Sequence, residues 1–302
     1  MDIIERRKLH REVSERRKMN RELPSRLYRG FLMLTSAWPG QRVAESSLLI
    51  KLHQPSNPTK LPLVWCGGPN EMPALIEIVG KERAIYGLRG TYEFVMPTEE
   101  VILKMGNYYA NELFVHVKQD SYVIAGNCAA AYLALEIAQQ LQRRGAKVSF
   151  LGLVERDVTE QTFSLKVVRK IFKIFDRLGT VAYELKETWK QEKWLTAATN
   201  SQYILSKRLF NKKVGQDPRE QIKYEHHSDE KMYEIQPYAG KIDLFFLKWS
   251  VFGFYQIPFF QKFWYKNAKN GATFTFINGV SHEYPDWFGI VKLLQEKLKD
   301  SY

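Results

Sequence analysis

The stretch Gly126-Asn127-Cys128-Ala129-Ala130 places a nucleophilic side chain between small residues two positions before and two positions after it. A short apolar run, Tyr122-Val123-Ile124-Ala125, precedes it, and a helical apolar pattern at Leu133, Leu135, Ile137, Ala138 and Leu141 follows. A sharp strand-to-helix turn strains the backbone at its apex, and only small flanking residues fit, a demand that Gly126 and Ala130 meet. Such nucleophile elbows are usually built around serine; here a thiol stands in that place, and its thiolate is the reactive form. The chemistry implied is covalent acyl transfer. It requires a base beside the nucleophile, an acid that orients the base, and N–H donors for the oxyanion.

The elbow resembles that of α/β-hydrolases, in which nucleophile, acid and histidine follow one another along the chain. Of six histidines, only His282 lies near the C-terminus just past a strand, in the loop Asn278-Gly279-Val280-Ser281-His282 that leads into a helix. His226 and His227 belong to a polar interval and read as exposed, while His53 and His116 precede the elbow, out of order. For the acid, the strand Val148 to Val154 runs straight into Glu155, with Asp157 as the substitute. Strand C-termini are where catalytic groups gather in open parallel sheets. The later strand Ile242 to Leu247 ends without a carboxylate. One oxyanion donor is expected from the backbone of Ala129, and the second from the loop Cys66-Gly67-Gly68-Pro69. Pro69 has no N–H, so Gly67 or Gly68 is the candidate, and Cys66 reads as a small core residue.

These groups need a scaffold. From Leu48 onward, strand-like segments (61–66, 84–88, 122–125, 148–154, 241–249, 272–277) alternate with helical ones (99–117, an elbow helix that follows Cys128 and is capped near Gly145, and 286–298). Such alternation predicts an α/β fold, a mostly parallel sheet flanked by helices. Between Arg156 and Met232 the alternation stops and the chain turns polar and helical, with helices expected over 165–177, 181–194 and 202–212. An inserted helical lid over the site is expected at about 158–232, rich in Trp189, Trp194, Tyr203 and Phe210. Residues 1–47 form a basic N-terminal helical arm, charged up to Pro24 and apolar to Trp38, either a docking element or an arm packed on the domain that occupies 48–302. A dense aromatic segment, Phe252 to Tyr265, either lines an acyl pocket or packs in the core.

At 302 residues and 45% hydrophobic content the chain can bury a sizeable core. The net charge of +12 concentrates in residues 5–29 and 166–213, which are either solvated helix faces or a landing surface for an acidic protein. No zinc-finger spacing or RNP-type motif accompanies the charge, so no nucleic-acid partner is expected. No apolar run reaches the roughly eighteen residues of a membrane span. Two cysteines supply no disulfide framework and fit a reducing compartment, so a cytoplasmic location is expected. Met1 and the charged arm lean toward a free-standing protein.

Taken together, the segments resemble the type I thioesterase domains of nonribosomal peptide and polyketide synthetases. Pro62-Leu63-Val64-Trp65-Cys66-Gly67-Gly68 looks like the first strand and oxyanion loop of that family, and Ile85-Tyr86-Gly87-Leu88 like its next strand. Tyr122 to Arg144 looks like the stretch around its active serine, Tyr233 to Lys241 like its lid exit, and Gly279 to His282 like its histidine loop. The resemblance spans residues 48–300, and the 27-residue interval from Cys128 to Glu155 fits it. It implies an α/β-hydrolase fold, a Cys128–His282–Glu155 triad, and an acyl or peptidyl substrate carried on the phosphopantetheine of an acidic carrier protein. It implies no cofactor of the chain's own, and an acceptor that is water, a small molecule or a second carrier. Three departures from the family pattern stand out: Cys128 for serine, Glu155 for aspartate, and Ala129-Ala130 for glycines. A small-molecule cysteine hydrolase of the dienelactone type is the competing expectation.

Overall fold

Three of the apolar runs form strands buried along their whole length, β3 (Leu63–Gly67), β4 (Ile85–Arg89) and β7 (Ile242–Leu247). Continuous burial is what parallel strands covered on both faces require. The computed structural model describes residues 23–91, 95, 97–155, 163–191, 201, 232–247, 257–277 and 285–299. Within them the remaining strands are β1 (Gln41–Arg42), β2 (Ile50–His53), β5 (Ser121–Asn127), β6 (Lys147–Val154) and β8 (Ala272–Ile277). Among the described residues they make one eight-stranded sheet in the order β1-β2-β4-β3-β5-β6-β7-β8. Only the β1–β2 and β2–β4 pairs are antiparallel. This is the mostly parallel, helix-flanked α/β-hydrolase architecture that the sequence predicts.

Seven helices are described: α1 (Ser25–Leu34), α2 (Met72–Ile78), α3 (Glu99–His116), α4 (Ala130–Arg143), α5 (Phe163–Gln191), α6 (Ile257–Asn267) and α7 (Trp287–Leu298). Local chemistry sets their ends. The Thr98 hydroxyl accepts from the Val101 N–H at 3.4 Å, with Glu99 and Glu100 in the first turn facing the positive end of α3. Gly145, at φ +84°, ends α4: its N–H donates to the Gln142 carbonyl, and the next N–H to that of Leu141. Asp286 caps α7 by accepting from the Gly289 N–H at 3.0 Å.

The side-chain period of two divides the core. Along β5, Ile124 joins Tyr109, Leu133, Ile137, Leu151 and Phe246 on the face covered by α3 and α4. Val123 and Ala125 join Trp65, Leu75, Phe245, Ile290 and Leu294 on the face covered by α2 and α7. Phe260, Phe263 and Trp264 of α6 lie in the first of these cores, with the Phe246 ring tilted against Phe260 at 5.0 Å, so these three pack in the core, whereas Tyr265 is exposed. Phe252 to Tyr255 lie outside the described residues.

Residues 23–47 pack on the domain: Leu27 and Phe31 are buried in the α3–α4 core, and β1 adds to the sheet edge. The sheet therefore begins before residue 48; Arg42 bonds the Ser47 and Leu32 carbonyls and the Thr35 hydroxyl across this segment. Residues 1–22 lie outside the described residues. Where two helices were expected over 165–194, α5 is one helix of 29 residues that runs through Gly179, with Thr180 and Val181 buried at its middle. The interval expected to form a helix over 202–212 is outside the described residues. No helix among the described residues is long and apolar enough to cross a membrane.

Because Phe31 is fully buried, Phe31→Ala should destabilise the fold by about 3–5 kcal/mol in urea unfolding. A change below about 0.5 kcal/mol, the range of surface substitutions, would mean that the 23–47 segment does not share the core.

Candidate active site

Cys128 has φ +51°, a left-handed conformation that a residue with a Cβ adopts only under local compulsion. The compulsion comes from both sides of the turn. Its N–H donates to the Val154 carbonyl at 2.8 Å, pinning it to the end of β6, and its carbonyl accepts from the Ala131 N–H at 3.1 Å in the first turn of α4. Strand and helix then approach so closely that a Cβ on Gly126 would stand 2.8 Å from the Ala134 Cβ and 3.0 Å from the Ala130 carbonyl oxygen. On the far side, a Cβ on Gly90 would meet the Ala130 Cβ at 2.4 Å. The small residues expected at the elbow are thus demanded by contacts. The thiol is half-buried at the N-terminal end of α4, where the helix dipole favours an anion.

Glu155 follows β6 and is also left-handed, at φ +51°, and buried. Its N–H donates to the Phe245 carbonyl at 2.8 Å, and its carboxylate oxygen Oε1 accepts from the Leu247 N–H at 2.5 Å. These two bonds turn the side chain across the C-terminal ends of β6 and β7. Asn127 pairs with Val154, so Cys128 and Glu155 emerge from adjacent strand ends, one residue past the same register pair. Leu247, whose N–H holds Glu155, pairs with Ile277 at the end of β8. His282 comes five residues after Ile277 and lies outside the described residues, as does Asp157.

Of the oxyanion candidates, Ala129 stands at the head of α4 with helical backbone angles of −63° and −28°. Gly67 closes β3 opposite Arg89, and its carbonyl accepts from the Gly90 N–H at 3.2 Å. The Gly68 N–H donates to Glu71 Oε2 at 3.0 Å. That contact belongs to a group the sequence reading missed. Glu71 is 3% exposed, its other oxygen accepts from Asn127 Nδ2 at 2.9 Å, and the Arg89 guanidinium supplies a nearby positive charge. Burial raises the Glu71 carboxyl above the usual carboxylate range, while the Asn127 and Gly68 bonds and Arg89 pull it back. A glutamate just before a Pro-containing helix start was the available signal, and its distant partner at 127 was not.

Further from the thiol, Glu136 of α4 is 1% exposed and gathers Tyr233 Oη at 2.8 Å, Gln140 at 2.7 Å and Arg143 at 2.6 Å. The Tyr233 N–H donates to the Pro97 carbonyl, so the segment that follows the expected lid is fastened both to the turn leading into α3 and to α4. Within the lid interval, α5 exposes Ile171, Ile174, Phe175 and Leu178, and Trp189 is half-exposed. Trp194, Tyr203 and Phe210 lie outside the described residues. Cys66 is fully buried in β3, and burial pushes its thiol far above the ordinary range, in keeping with a core role. Among the described residues no group of three or more His, Cys, Asp or Glu side chains is placed to hold a metal ion.

Residues 83–234 match the family model Thioesterase domain. Among solved structures, the chain is similar to YbtT, a type II thioesterase from the yersiniabactin NRPS/PKS biosynthetic pathway, at 15% identity over 84% of this chain and 98% of that one, with a TM-score of 0.48. It is similar to the Vlm2 thioesterase domain bound with a dodecadepsipeptide at 14% identity, over 82% and 96% of the two chains, with a TM-score of 0.47. It is also similar to SrfTE, the thioesterase domain described for cyclization of the lipopeptide antibiotic surfactin, at 10% identity over 80% and 93%, with a TM-score of 0.43. No match is found among the curated proteins.

The two thiols should separate chemically. Iodoacetamide applied to the folded protein near pH 8 should alkylate Cys128 and leave Cys66 unmodified until denaturant is added, as read by peptide mass. Equal labelling of both in the native state would contradict the burial of Cys66.

Proposed function

The chain belongs to the thioesterase domain family, and we propose that within it Cys128 is the acyl-carrying nucleophile of a Cys128–His282–Glu155 triad. The observation that carries this reading is the left-handed turn at Cys128, which presents a thiol at the head of α4 from a sheet edge that also holds the buried Glu155. In the proposed reaction the Cys128 thiolate, formed as His282 takes its proton, attacks the carbonyl of an acyl chain held as a phosphopantetheine thioester. The N–H of Ala129, with one from the Gly67–Gly68 loop, stabilises the tetrahedral oxyanion. Collapse forms the acyl–Cys128 thioester and breaks the C–S bond to phosphopantetheine, whose sulfur takes the proton back from His282. Glu155 holds the imidazole in the orientation for both transfers.

The thiol sets the product. Transfer of an acyl group from a thioester to serine yields a lower-energy oxyester, whereas transfer to Cys128 exchanges one thioester for another and keeps the chain activated. An amine, a hydroxyl or a second carrier thiol can then take the chain by transfer or cyclisation, with hydrolysis as the remaining route. The substrate reading is an acyl, aminoacyl or peptidyl chain of natural-product biosynthesis, delivered by an acidic carrier protein to a chain of net charge +12. The phosphopantetheine belongs to the substrate, and the protein supplies no cofactor of its own. The helical interval around α5 serves as the lid that excludes water during transfer.

Incubation with carrier proteins loaded with fatty acyl, aminoacyl and peptidyl chains should give an intact-mass adduct that is absent in Cys128→Ala. His282→Ala should slow adduct formation by about 10²–10⁴-fold, the usual contribution of a positioned base. An adduct that persists in Cys128→Ala, or no adduct from any loaded carrier, would overturn the reading.

A further inference from the structure

Glu71 is a buried carboxylate with no part in the triad, and a buried charge is costly unless every partner is in place. Its partners, Gly68 and Asn127, lie just past the last pair that holds their two strands together. The ladder between β3 and β5 ends at the Cys66–Gly126 pair. Beyond it, the Gly67-Gly68 turn continues beside β4, through the Gly67–Arg89 pair, and Asn127 continues beside β6, through the Asn127–Val154 pair. The spacing between the glycine turn and the elbow is therefore set by something other than strand pairing. Glu71 spans that gap, with one oxygen on the Gly68 N–H at 3.0 Å and the other on the Asn127 amide at 2.9 Å. Asn127 is bonded directly to Cys128. Arg89, at the end of β4, is the positive charge on the same side: its Nη1 lies 3.0 Å from where a Gly68 Cβ would stand, and Glu71 Oε2 lies 3.4 Å from that point.

We propose that Glu71 is a positioning residue that clamps the Gly67–Gly68 turn to the Cys128 elbow, fixing the distance between the loop's oxyanion donor and the reacting thiol. The inference rests on the reading of Cys128 as the acyl-carrying nucleophile. A carboxylate suits the task because its two oxygens accept in two directions from a single rigid group, one bond to each segment. Glu71 occupies the Gly68 N–H, which makes Gly68 the anchor point through which the turn is held. Loss of the clamp would leave the thiol in place and let the oxyanion site drift, so its effect falls on steps that build an oxyanion. Displacement of about 1 Å in such a site costs on the order of 10²-fold in rate.

The test compares wild type, Glu71→Ala and Glu71→Gln in three measurements. These are Cys128 acylation by octanoyl and alanyl N-acetylcysteamine thioesters, Cys128 alkylation by iodoacetamide, and hydrogen exchange of the segments 67–71 and 126–129. Alkylation needs the thiolate and forms no oxyanion, so it reports on the nucleophile alone. Glu71→Ala should lower the acylation rate constant by about 10–100-fold with little change in the half-saturating thioester concentration. Its alkylation rate should stay near wild type, and exchange in both segments should speed up. Glu71→Gln keeps an acceptor for Gly68 and, with the Asn127 amide turned over, a bond to Asn127, and should restore most of the loss. Acylation by Glu71→Ala at the wild-type rate, or alkylation falling in step with acylation, would overturn the proposal. If wild type is acylated by neither thioester, the acyl-carrier reading fails by itself; the exchange measurement then decides the clamp, and unchanged exchange in Glu71→Ala refutes it.

Discussion

The backbone turn at Cys128 is the constraint on which the rest of this structure depends. A left-handed φ of +51° at a residue with a Cβ is retained only where the surroundings over-determine it. Here the surroundings are the Val154 carbonyl on one side and the first turn of α4 on the other. To reach both, α4 must descend onto β5 until Gly126 touches Ala134 and Gly90 touches Ala130, contacts that leave no room for a larger side chain. α4 is then committed to the sheet along its length, with Leu133, Leu135, Ile137, Ala138 and Leu141 fully buried. The strained turn is held by the same packing that makes the largest part of the core.

Around the turn, buried carboxylates do what the strand ladder cannot. Glu155 accepts from the Leu247 N–H and joins the ends of β6 and β7. Glu71 joins the ends of β3 and β5, and Glu136 fastens Tyr233 to α4. Each is buried in a place with little water, and each meets N–H or O–H donors that satisfy its oxygens. Glu155 and Glu71 lie where parallel strands fan apart at their C-terminal edge and backbone pairing stops, which is where chemistry is placed in open α/β sheets.

Much of this was legible in the sequence because the signals were local. The elbow, the buried runs of β3, β4 and β6, and the Gly145 helix end each come from residues a few positions apart, so periodicity and turn chemistry suffice. Glu155 was legible because a strand end is a position that sequence can mark. Glu71 was not, since its meaning depends on Asn127, 56 residues away. The packing of residues 23–47 was left open for the same reason: Phe31 and Leu27 are buried against α3 and α4, partners that amphipathicity alone does not identify. Two helices were expected over 165–177 and 181–194, yet α5 runs through Gly179: one glycine costs about 1 kcal/mol in a helix, a cost that buried Thr180 and Val181 at the middle of α5 offset.

The thiol gives the site its proposed character. A strained elbow with a buried carboxylate beside it suits any acyl transfer; a cysteine at its apex suits one in which the chain stays activated until its acceptor arrives. The fate of the acyl–Cys128 intermediate is the most direct measure of that claim. Acylated protein freed of excess thioester should hold its adduct in buffer alone and lose it when an amine or a carrier thiol is added, with the acyl chain recovered on the acceptor. Discharge to free acid at the same rate with and without acceptor would make water the acceptor and contradict the account.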